Sequence, residues 1–468
     1  MKSVLKRYRI EILLFSLSLS LGLIFLVLMK VKTGSNFPDF VLWGDALSYY
    51  NLAHGLKYFF SLSIIELPGA PDAFLRTPGY PLFLALIFSL FRERIVAVFV
   101  AQIILSALSA VLVYKISESV GFPKLVGLGA GLFFALEPNI AVYAVSIITE
   151  PLFVFIFLLF LYLLTRSLKT KQLGTKRFLA LGALLGFGVL VRPVLYPFAF
   201  ILVALLAFYL GRIVLTRSWL RLVTVFAAGL YLVVFPWILR NKVVFDSWSV
   251  SSISGVHTFL SYAVPFYAYQ HGVNKNVAEA ELTERIKSQV VGDKYDLRNN
   301  ELYQRYAREI ISQDVPGYVF FHAINTTSFF LSNGYRNVPR DLGFEVSYPT
   351  VNLSFIRLAI NRQLETLWDF FRDHLGSLLV FVGGAILWLL VNLFMLLGIF
   401  KSLFRQRDQM IKYFGWLAVV TILYFAAVAG PEAYYKMRMP VNPFIFILAF
   451  YGLERFSKVW QVLPFLHR

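Results

Sequence analysis

Long apolar runs recur along the whole chain and constrain what it can fold into. They begin at Ile10 and continue to Leu453, and several approach the roughly 20 residues that cross a bilayer as a helix. Hydrophobic residues make up 58% of the 468 residues and charged residues only 15%, against about a quarter charged in soluble proteins. The sequence therefore predicts an all-α polytopic membrane protein and excludes a soluble enzyme with a single anchor.

Cysteine and histidine usage excludes several kinds of chemistry. The chain has no cysteine and six scattered histidines, so disulfides, thiol nucleophiles and thiolate metal sites are absent from it. The net charge of +18 is not gathered on one folded basic face, because the longest polar region, 240–372, is close to neutral. We therefore expect no nucleic-acid partner.

The positive charge lies in short loops, and short basic loops mark the cytoplasmic side of a membrane protein. The N-terminus is basic as well, and we expect it to start inside, with the first apolar run kept as a helix and not cleaved as a signal peptide. The basic residues that set this orientation are Lys2, Lys6, Arg7, Arg9, Arg166, Lys169, Lys171, Lys176, Arg177, Arg212, Arg217, Arg221, Lys401, Arg405, Arg407 and Lys412.

Threading the chain through these loops gives about ten spans with both ends inside. Run 82–91 is too short to cross and is predicted to lie at the interface as a helix. Run 315–331 contains too many polar side chains for a lone lipid-facing span. The predicted spans are 10–29, 95–114, 125–136, 151–164, 178–191, 196–210, 222–239, 376–400, 413–430 and 440–453.

This threading divides the chain into three parts. Residues 1–239 form an N-terminal membrane module with a first outer loop at 31–79, residues 240–375 form an outer-face region, and residues 376–468 form the C-terminal membrane helices. Within the outer region, the spacing of Leu302, Tyr306 and Ile310 predicts an amphipathic helix that ends before Pro316, and turn residues elsewhere indicate loops.

Two acidic residues stand near the outer ends of predicted spans. Asp45 shares a helix face with Tyr49 in an otherwise apolar stretch, where it can act as a general base or simply cap the helix. Glu150 begins a span in the sequence Thr-Glu-Pro-Leu-Phe, which is an ordinary helix start as well as a place where negative charge is stabilised.

Cations accompany these acids on the same predicted face. Arg76 lies in a Pro/Gly turn, Arg192 and Arg240 end spans, and Lys436 and Arg438 lie in the segment 431–440. Charges at membrane depth are costly and are usually functional. Their convergence from distant loops suggests one site that binds an anionic group and moves a proton.

At these residues the sequence resembles the GT-C glycosyltransferases that use polyprenyl-phosphate sugars, which include protein O-mannosyltransferases and lipid A aminoarabinose transferases. The resemblance covers most of the chain. Its motifs are Asp45, Tyr49 and Ala53 at helical spacing, Arg-Thr-Pro-Gly-Tyr-Pro from Arg76, Thr-Glu-Pro-Leu-Phe from Thr149, Val-Arg-Pro at Arg192, Pro-Trp-Ile-Leu-Arg-Asn from Pro236, Gly-Val-His at Gly255, and Tyr-Lys-Met-Arg-Met-Pro-Val-Asn-Pro from Tyr435.

The resemblance implies a GT-C fold with amphipathic helices on the outer surface and assigns roles to the residues. Asp45 would be the general base and Glu150 would orient the acceptor or the sugar. Binding of substrate would fall to Tyr49, Arg76, Arg192, Arg240, His257, Tyr435, Lys436 and Arg438, among which Arg240 and Arg438 are the strongest candidates for the leaving phosphate.

The same resemblance implies the partners and the location. The donor would be a polyprenyl-phosphate sugar, the acceptor a lipid, glycan or protein, and the active site would face the outer or periplasmic side of the plasma (inner) membrane, among membrane lipids. No cofactor is expected, and no metal is favoured, because no Asp-Xaa-Asp pair surrounds Asp45.

Two other functions fit the composition. A transporter or flippase of lipid-linked saccharide would carry its ionisable residues at mid-span, whereas most of these lie at span ends. A polysaccharide ligase or polymerase would share the lipid-linked donor and would use Arg and His in a large outer loop, a role that His257 and His271 permit.

The threading is testable because the chain is naturally free of cysteine. We expect Ser48→Cys and Tyr295→Cys to react with a membrane-impermeant thiol reagent in intact cells, since both positions are predicted to face outward. Labelling of position 295 only after permeabilisation would contradict this orientation.

Overall fold

The computed structural model describes residues 7–59, 76–213, 218–344 and 375–454. Every regular element in these ranges is helical, which confirms the all-α prediction. In the N-terminal half the α-helices are α1 Arg9–Thr33, α2 Phe37–Val41, α3 Asp45–Phe59, α4 Gly79–Leu90, α5 Ile95–Val120, α6 Lys124–Leu136, α7 Pro138–Ala144, α8 Glu150–Lys169, α9 Thr175–Val191, α10 Leu195–Ile213 and α11 Ser218–Phe245.

The C-terminal half continues with short helices and then long ones. They are α12 Ile253–His257, α13 Val264–His271, α14 Lys275–Ile286, α15 Asn300–Ser312, α16 Val315–Leu331, α17 Val338–Asp341, α18 Leu375–Phe400, α19 Gln409–Ala429, α20 Tyr435–Arg438 and α21 Asn442–Leu453. A π-helical stretch, Thr258–Ala263, joins α12 to α13.

Each of the ten predicted spans coincides with a helix in the described part of the chain. Six segments there are long and apolar enough to cross a membrane, and the pair α6 and α7, bent by 53°, would make a seventh. The bend falls at Glu137, whose carboxylate accepts hydrogen bonds from the backbone N–H groups of Asn139 and Ile140. The multi-pass architecture is confirmed, and the count of ten stays a prediction.

Small residues allow the membrane helices to pack closely. A Cβ atom on Gly182 of α9 would overlap the backbone oxygen of Phe226 in α11, and a Cβ on Gly229 would overlap that of Leu179. Lipid supplies little hydrophobic force between helices, so such close backbone contact is a main source of their association. This contact holds α9 beside α11.

Helix α4 is 12 residues long, about 18 Å at 1.5 Å per residue and less than the roughly 30 Å apolar thickness of a bilayer. Helix α21 has the same length, so the exposed face of α4 is the more telling feature. Leu82, Leu86 and Leu90 on one face are exposed, whereas Tyr80 and Phe88 on the other are buried. This is consistent with the predicted interfacial helix. The neighbouring residues 60–75 of the first outer loop lie outside the described residues.

Residues 240–344, the described part of the region that the sequence places on the outer face, contain more structure than the sequence indicates. Helices α12 to α16 surround a hydrophobic core of their own, separate from the core of the membrane helices. The predicted amphipathic helix is present as α15, but its buried face is centred on Tyr303, Ala307 and Ile310. We call residues 253–331 the outer subdomain; residues 345–374 of the region, with the sequon at Asn352, lie outside the described residues.

The outer subdomain is attached to the end of α19. The hydroxyl of Tyr262 donates to the backbone oxygen of Val428, and His322 Nε2 lies 2.9 Å from the backbone oxygen of Ala427. These bonds use carbonyls in the last turn of α19 that have no partner within the helix. They hold the subdomain above the ends of the membrane helices, where it forms one wall of a cavity.

Candidate functional site

A cavity of about 880 Å³ opens at the end of the helix bundle that carries the starts of α3 and α8. The Asp, Glu, Lys and Arg residues that line it come from distant parts of the sequence: Asp45, Arg76, Glu150, Arg192 and Lys436. The basic residues Arg166 and Lys169 end α8, some 30 Å from Glu150 at about 1.5 Å per residue. The cavity and the basic loop thus lie at opposite ends of the bundle.

The first ion pair of the cavity joins Asp45 and Arg76. Arg76 Nη2 lies 2.5 Å from Asp45 Oδ1, and the Asp45 side chain remains 58% exposed. The guanidinium also lies 4.7 Å from the ring centroid of Tyr49, which follows Asp45 by one helical turn. Burial raises the pKa of Tyr49, so its hydroxyl stays protonated at neutral pH.

The second cluster is built on Glu150, which is the first residue of α8 and is followed by a proline that suits a helix start. Only 2% of its side chain is exposed, and its Oε1 lies 2.7 Å from Arg192 Nη1 and 3.6 Å from Lys436 Nζ. The nearby carboxylate of Glu150 raises the pKa of Lys436. Lys436 is therefore a firmly protonated cation beside a buried anion.

The charged lining of the cavity carries an excess of positive charge. Two carboxylates face three cations, which leaves one positive charge that a bound anion would neutralise. Burial away from bulk water strengthens such attraction. In the described part of the chain no cluster of three or more metal-binding side chains occurs.

The remaining lining separates into two kinds. The wall formed by the outer subdomain and residues just before it has no Asp, Glu, Lys or Arg. Its hydroxyl, amide and aromatic side chains are Trp248, Ser249, Ser251, Ser254, His257, Thr258, Ser261, Tyr262, Tyr295, Asn300 and Gln304, and the apolar Val250, Ile253, Val256 and Leu260 lie among them. The facing wall, between α10 and α19, is mainly apolar: Pro193, Val194, Tyr196, Pro197, Tyr424, Phe425, Val428 and Ala429.

The structure brings together seven of the ten residues that the sequence singled out. Asp45, Tyr49, Arg76, Glu150, Arg192, His257 and Lys436 all line the cavity, whereas Arg240, Tyr435 and Arg438 do not.

Arg438 lies in a different environment from the one that the sequence suggested. It is 1% exposed, and its guanidinium donates to the backbone oxygens of Phe329 and Phe330 at 2.6 Å and of Ser332 at 2.8 Å. The guanidinium also stacks 3.4 Å from the ring centroid of Trp388. Arg438 therefore binds the C-terminal end of α16. Residues two apart on a helix point in opposite directions, which separates Arg438 from Lys436.

Tyr435 and Arg240 are likewise directed away from the cavity. Tyr435 stacks on Tyr143, and its hydroxyl accepts a bond from Asn337. The Arg240 guanidinium packs on the rings of Trp237 and Phe245 at 4.8 and 4.9 Å. Both contacts fit an anchoring role near the ends of helices.

Several lining residues were not found from the sequence. Trp248, Tyr295, Asn300 and Gln304 come from the outer region, where no motif distinguishes them from ordinary loop residues. Gln102 does not line the cavity but is hydrogen-bonded to elements that do. The sequence did contain a clue to Gln102, because it is an amide within the apolar run 95–114 and polar residues inside a span are rare.

Comparison with protein families finds a match over part of the chain. Residues 75–239, about a third of the chain, match the model of the dolichyl-phosphate-mannose-protein mannosyltransferase family. This match confirms the resemblance to GT-C membrane glycosyltransferases. The matched segment contains Arg76, Glu150 and Arg192, and thus covers part of the cavity.

Solved structures of an oligosaccharyltransferase from the archaeon Archaeoglobus fulgidus are similar to this chain. The complex of the enzyme AglB with an inhibitory peptide and a dolichol-phosphate has 15% identity and a TM-score of 0.49, over 98% of this chain and 52% of that one. The apo form has 15% identity and a TM-score of 0.48, over 95% and 51%. This chain spans about half the length of those proteins. No curated protein matches the sequence.

The environment of Arg438 predicts that it supports the fold and not the donor phosphate. We expect Arg438→Met to lower the free energy of unfolding by about 3 kcal/mol, since each buried carbonyl left without a partner costs roughly 1–3 kcal/mol. Thermal unfolding of the purified protein in detergent measures this loss.

Arg438→Lys tests whether stability depends on the guanidinium group itself or only on its positive charge. One ammonium group cannot reproduce a planar fork that serves three carbonyls, so the Lys variant should also unfold at a lower temperature. Unchanged stability in both variants, combined with weakened binding of a lipid phosphate, would return Arg438 to the binding site.

Proposed function

We propose that the protein transfers a sugar from a polyprenyl-phosphate donor to an acceptor within this cavity. The observation that carries the proposal is the convergence of two carboxylates and three cations between an apolar wall and an uncharged polar wall. The family match over residues 75–239 supports the reaction class. The proposal draws on all three sequence segments, because 1–239 supplies the acids, 240–375 the polar wall and 376–468 Lys436.

The excess positive charge is suited to the phosphate of the donor. As the bond between the anomeric carbon and the phosphate oxygen breaks, the bonding electrons leave with the phosphate, whose negative charge grows. Cations fixed before the reaction stabilise that charge without reorganisation, which is usually the largest contribution to catalysis. Lys436 and Arg192 are held in place by Glu150, and in this proposal they bind the phosphate.

In this proposal the two remaining walls bind the other parts of the donor, the lipid chain and the sugar. The apolar wall between α10 and α19 fits the first isoprene units of the lipid, with the remainder in the surrounding bilayer. The polar wall offers hydroxyl and amide groups and Trp248, a residue that is 59% exposed. An uncharged surface of this kind suits the hydroxyl groups of a neutral sugar, because a charged substituent there would lose its hydration without gaining an ion pair.

Asp45 is proposed as the general base. An acceptor hydroxyl or amine would attack the anomeric carbon, its proton would pass to Asp45, and the polyprenyl phosphate would leave. The carboxylate is exposed to the cavity while Arg76 holds its orientation. Glu150 is too buried and too tightly paired to receive this proton, so its proposed role is to position the cations.

The acceptor remains a lipid, a glycan or a protein in this proposal, and the cavity is placed on the outer or periplasmic face of the plasma (inner) membrane. Incubation of the purified protein with a synthetic polyprenyl-phosphate sugar should release polyprenyl phosphate. Turnover of a polyprenyl-diphosphate glycan instead would favour a ligase or polymerase, and lipid movement without bond cleavage would favour a flippase.

Asp45→Asn should abolish most transfer while the donor still binds. The amide keeps the shape of the carboxylate but cannot take the proton, and loss of a positioned base costs roughly 10²–10⁴-fold in rate. Donor turnover and donor affinity are measured on the same preparation.

Asp39→Asn is the matched control, because Asp39 is a nearby exposed acid outside the cavity. It should retain the wild-type rate. Equal rates for Asp45→Asn and the wild type would leave Asp45 as a helix cap.

Lys436→Met should weaken binding of the donor phosphate. Hydrogen bonds to charged groups contribute about 1.5–3 kcal/mol, so the dissociation constant should rise roughly 10- to 100-fold. Binding of a polyprenyl-phosphate sugar in detergent, measured by calorimetry, reports the change.

Arg240→Met provides the comparison, since Arg240 is also a cation near the end of a helix but does not line the cavity. Its affinity should stay within about twofold of the wild type, well below a tenfold change. If Arg240→Met weakened donor binding and Lys436→Met did not, the phosphate would be placed at Arg240 and not at Lys436.

A further inference from the structure

Gln102 is an amide buried inside a membrane helix with no part in lining the cavity. It lies on α5, seven residues after Ile95, and is fully buried. Its Oε1 accepts a hydrogen bond from the hydroxyl of Tyr80 at 2.7 Å. Its Nε2 donates to the backbone oxygens of Ala144 at 3.2 Å and Ser146 at 2.7 Å. The one side chain thus uses both its acceptor and its donors.

The acceptor side of Gln102 is connected to the Asp45–Arg76 pair. Tyr80 packs edge-on against Tyr49, with ring centroids 4.9 Å apart, and Tyr49 supports the Arg76 guanidinium. Gly79, beside Tyr80, packs so closely on Leu190 and Val191 that a Cβ would come within 2.7 Å of their backbone. The start of α4 is thereby fixed against the residues that precede Arg192.

The donor side of Gln102 is connected to the Glu150 cluster. Ala144 ends α7, and Ser146 lies in the turn that leads to Thr149 and Glu150 at the start of α8. Carbonyls at a helix end have no partner in the helix and need one elsewhere. Gln102 supplies a partner for Ala144 and a second one for Ser146, whose oxygen also accepts from the backbone N–H of Ile148. These two bonds attach the turn before Glu150 to α5.

We propose that Gln102 is a positioning residue that fixes the Asp45–Arg76 pair relative to the cluster of Glu150, Arg192 and Lys436. A side chain at this place needs an acceptor for Tyr80 and donors for two carbonyls, which an amide offers and which a leucine or an ionised glutamate does not. Its catalytic consequence rests on the proposed function, because the separation of base and phosphate-binding cations matters only for transfer between them.

The three hydrogen bonds of the Gln102 side chain define the variants that test this proposal. Gln102→Leu removes all of them at nearly the same volume, and Tyr80→Phe removes only the bond to Oε1 and keeps the ring packing. Ser109→Ala is the matched control, because Ser109 is also fully buried on α5 but bonds to Leu105 of its own helix. The double variant Gln102→Leu/Tyr80→Phe tests whether the two side chains act together.

We expect Gln102→Leu to lower kcat roughly 10- to 100-fold, since misplacement of reacting groups by about 1 Å costs on the order of 10²-fold. Tyr80→Phe should lower kcat less, the double variant should be no worse than Gln102→Leu, and Ser109→Ala should match the wild type. KM for the donor should change less than kcat in each, because Arg192 and Lys436 remain paired with Glu150 and the three residues move as one cluster. If Gln102→Leu yields less folded protein but the folded fraction has a normal kcat, Gln102 is a purely structural residue and the proposal is overturned.

A distance measurement separates this inference from the proposed function. Two spin labels in a chain without native cysteine report the separation of the two clusters. One is on Ser48→Cys in α3, near Asp45, and the other is on Tyr434→Cys, a 37% exposed residue of the cavity lining two positions before Lys436. We expect Gln102→Leu and Tyr80→Phe to shift or broaden that distance, and Ser109→Ala to leave it unchanged. If the distance is unchanged in Gln102→Leu and Tyr80→Phe, the positioning role is overturned whatever the activity. If the distance changes but the wild-type protein cleaves no donor, the positioning role stands and the proposed reaction is overturned.

Discussion

The burial of the Glu150 carboxylate is the constraint on which the cavity depends. A carboxylate with 2% of its side chain exposed must be paired, because an unpaired buried charge costs several kcal/mol. Its partners are Arg192, at the end of α9, and Lys436, in α20 almost 300 residues further along the chain. The one anion therefore ties the N-terminal helices to the C-terminal ones, and the fold that buries it also assembles the site.

The second consequence of this arrangement is electrostatic. A buried ion pair adds little net stability, since desolvation offsets much of the attraction. What the cluster of Glu150, Arg192 and Lys436 provides is fixed orientation, with one more cation than the single carboxylate requires. Asp45 is more exposed, and among the described residues its ion pair is with Arg76, so burial does not constrain its carboxylate in the same way. Two carboxylates in the same cavity thus have different environments, and different environments permit different roles.

The outer subdomain and the segment around Arg438 show how the fold supports the cavity from outside. Arg438 binds the last carbonyls of α16, and Tyr262 and His322 of the subdomain bind carbonyls at the end of α19. All of these bonds satisfy backbone groups that helix ends leave unpaired. The polar wall of the cavity and Lys436 are held relative to each other by this set of contacts.

Much of the architecture could be predicted from the sequence, because the bilayer imposes a simple rule on length and polarity. Apolar runs gave the membrane helices, the acid and proline at Glu150 gave the start of α8, and seven of ten proposed site residues line the cavity. The core of the outer subdomain was missed, since its buried residues come from several short helices with no single strong period. Arg438 and Lys436 were indistinguishable in the sequence, because both are cations in one short motif.

By itself, then, the sequence determined that the chain is helical, crosses the membrane several times and carries its candidate site residues at or near the ends of helices. These features follow from local composition and from the cost of charge in lipid. Only the tertiary structure decided which of those residues meet. Whether Lys436 or Arg438 faces the cavity, and whether Gln102 joins two distant turns, depends on how helices rotate and pack against one another, and that is set by contacts between residues far apart in the chain.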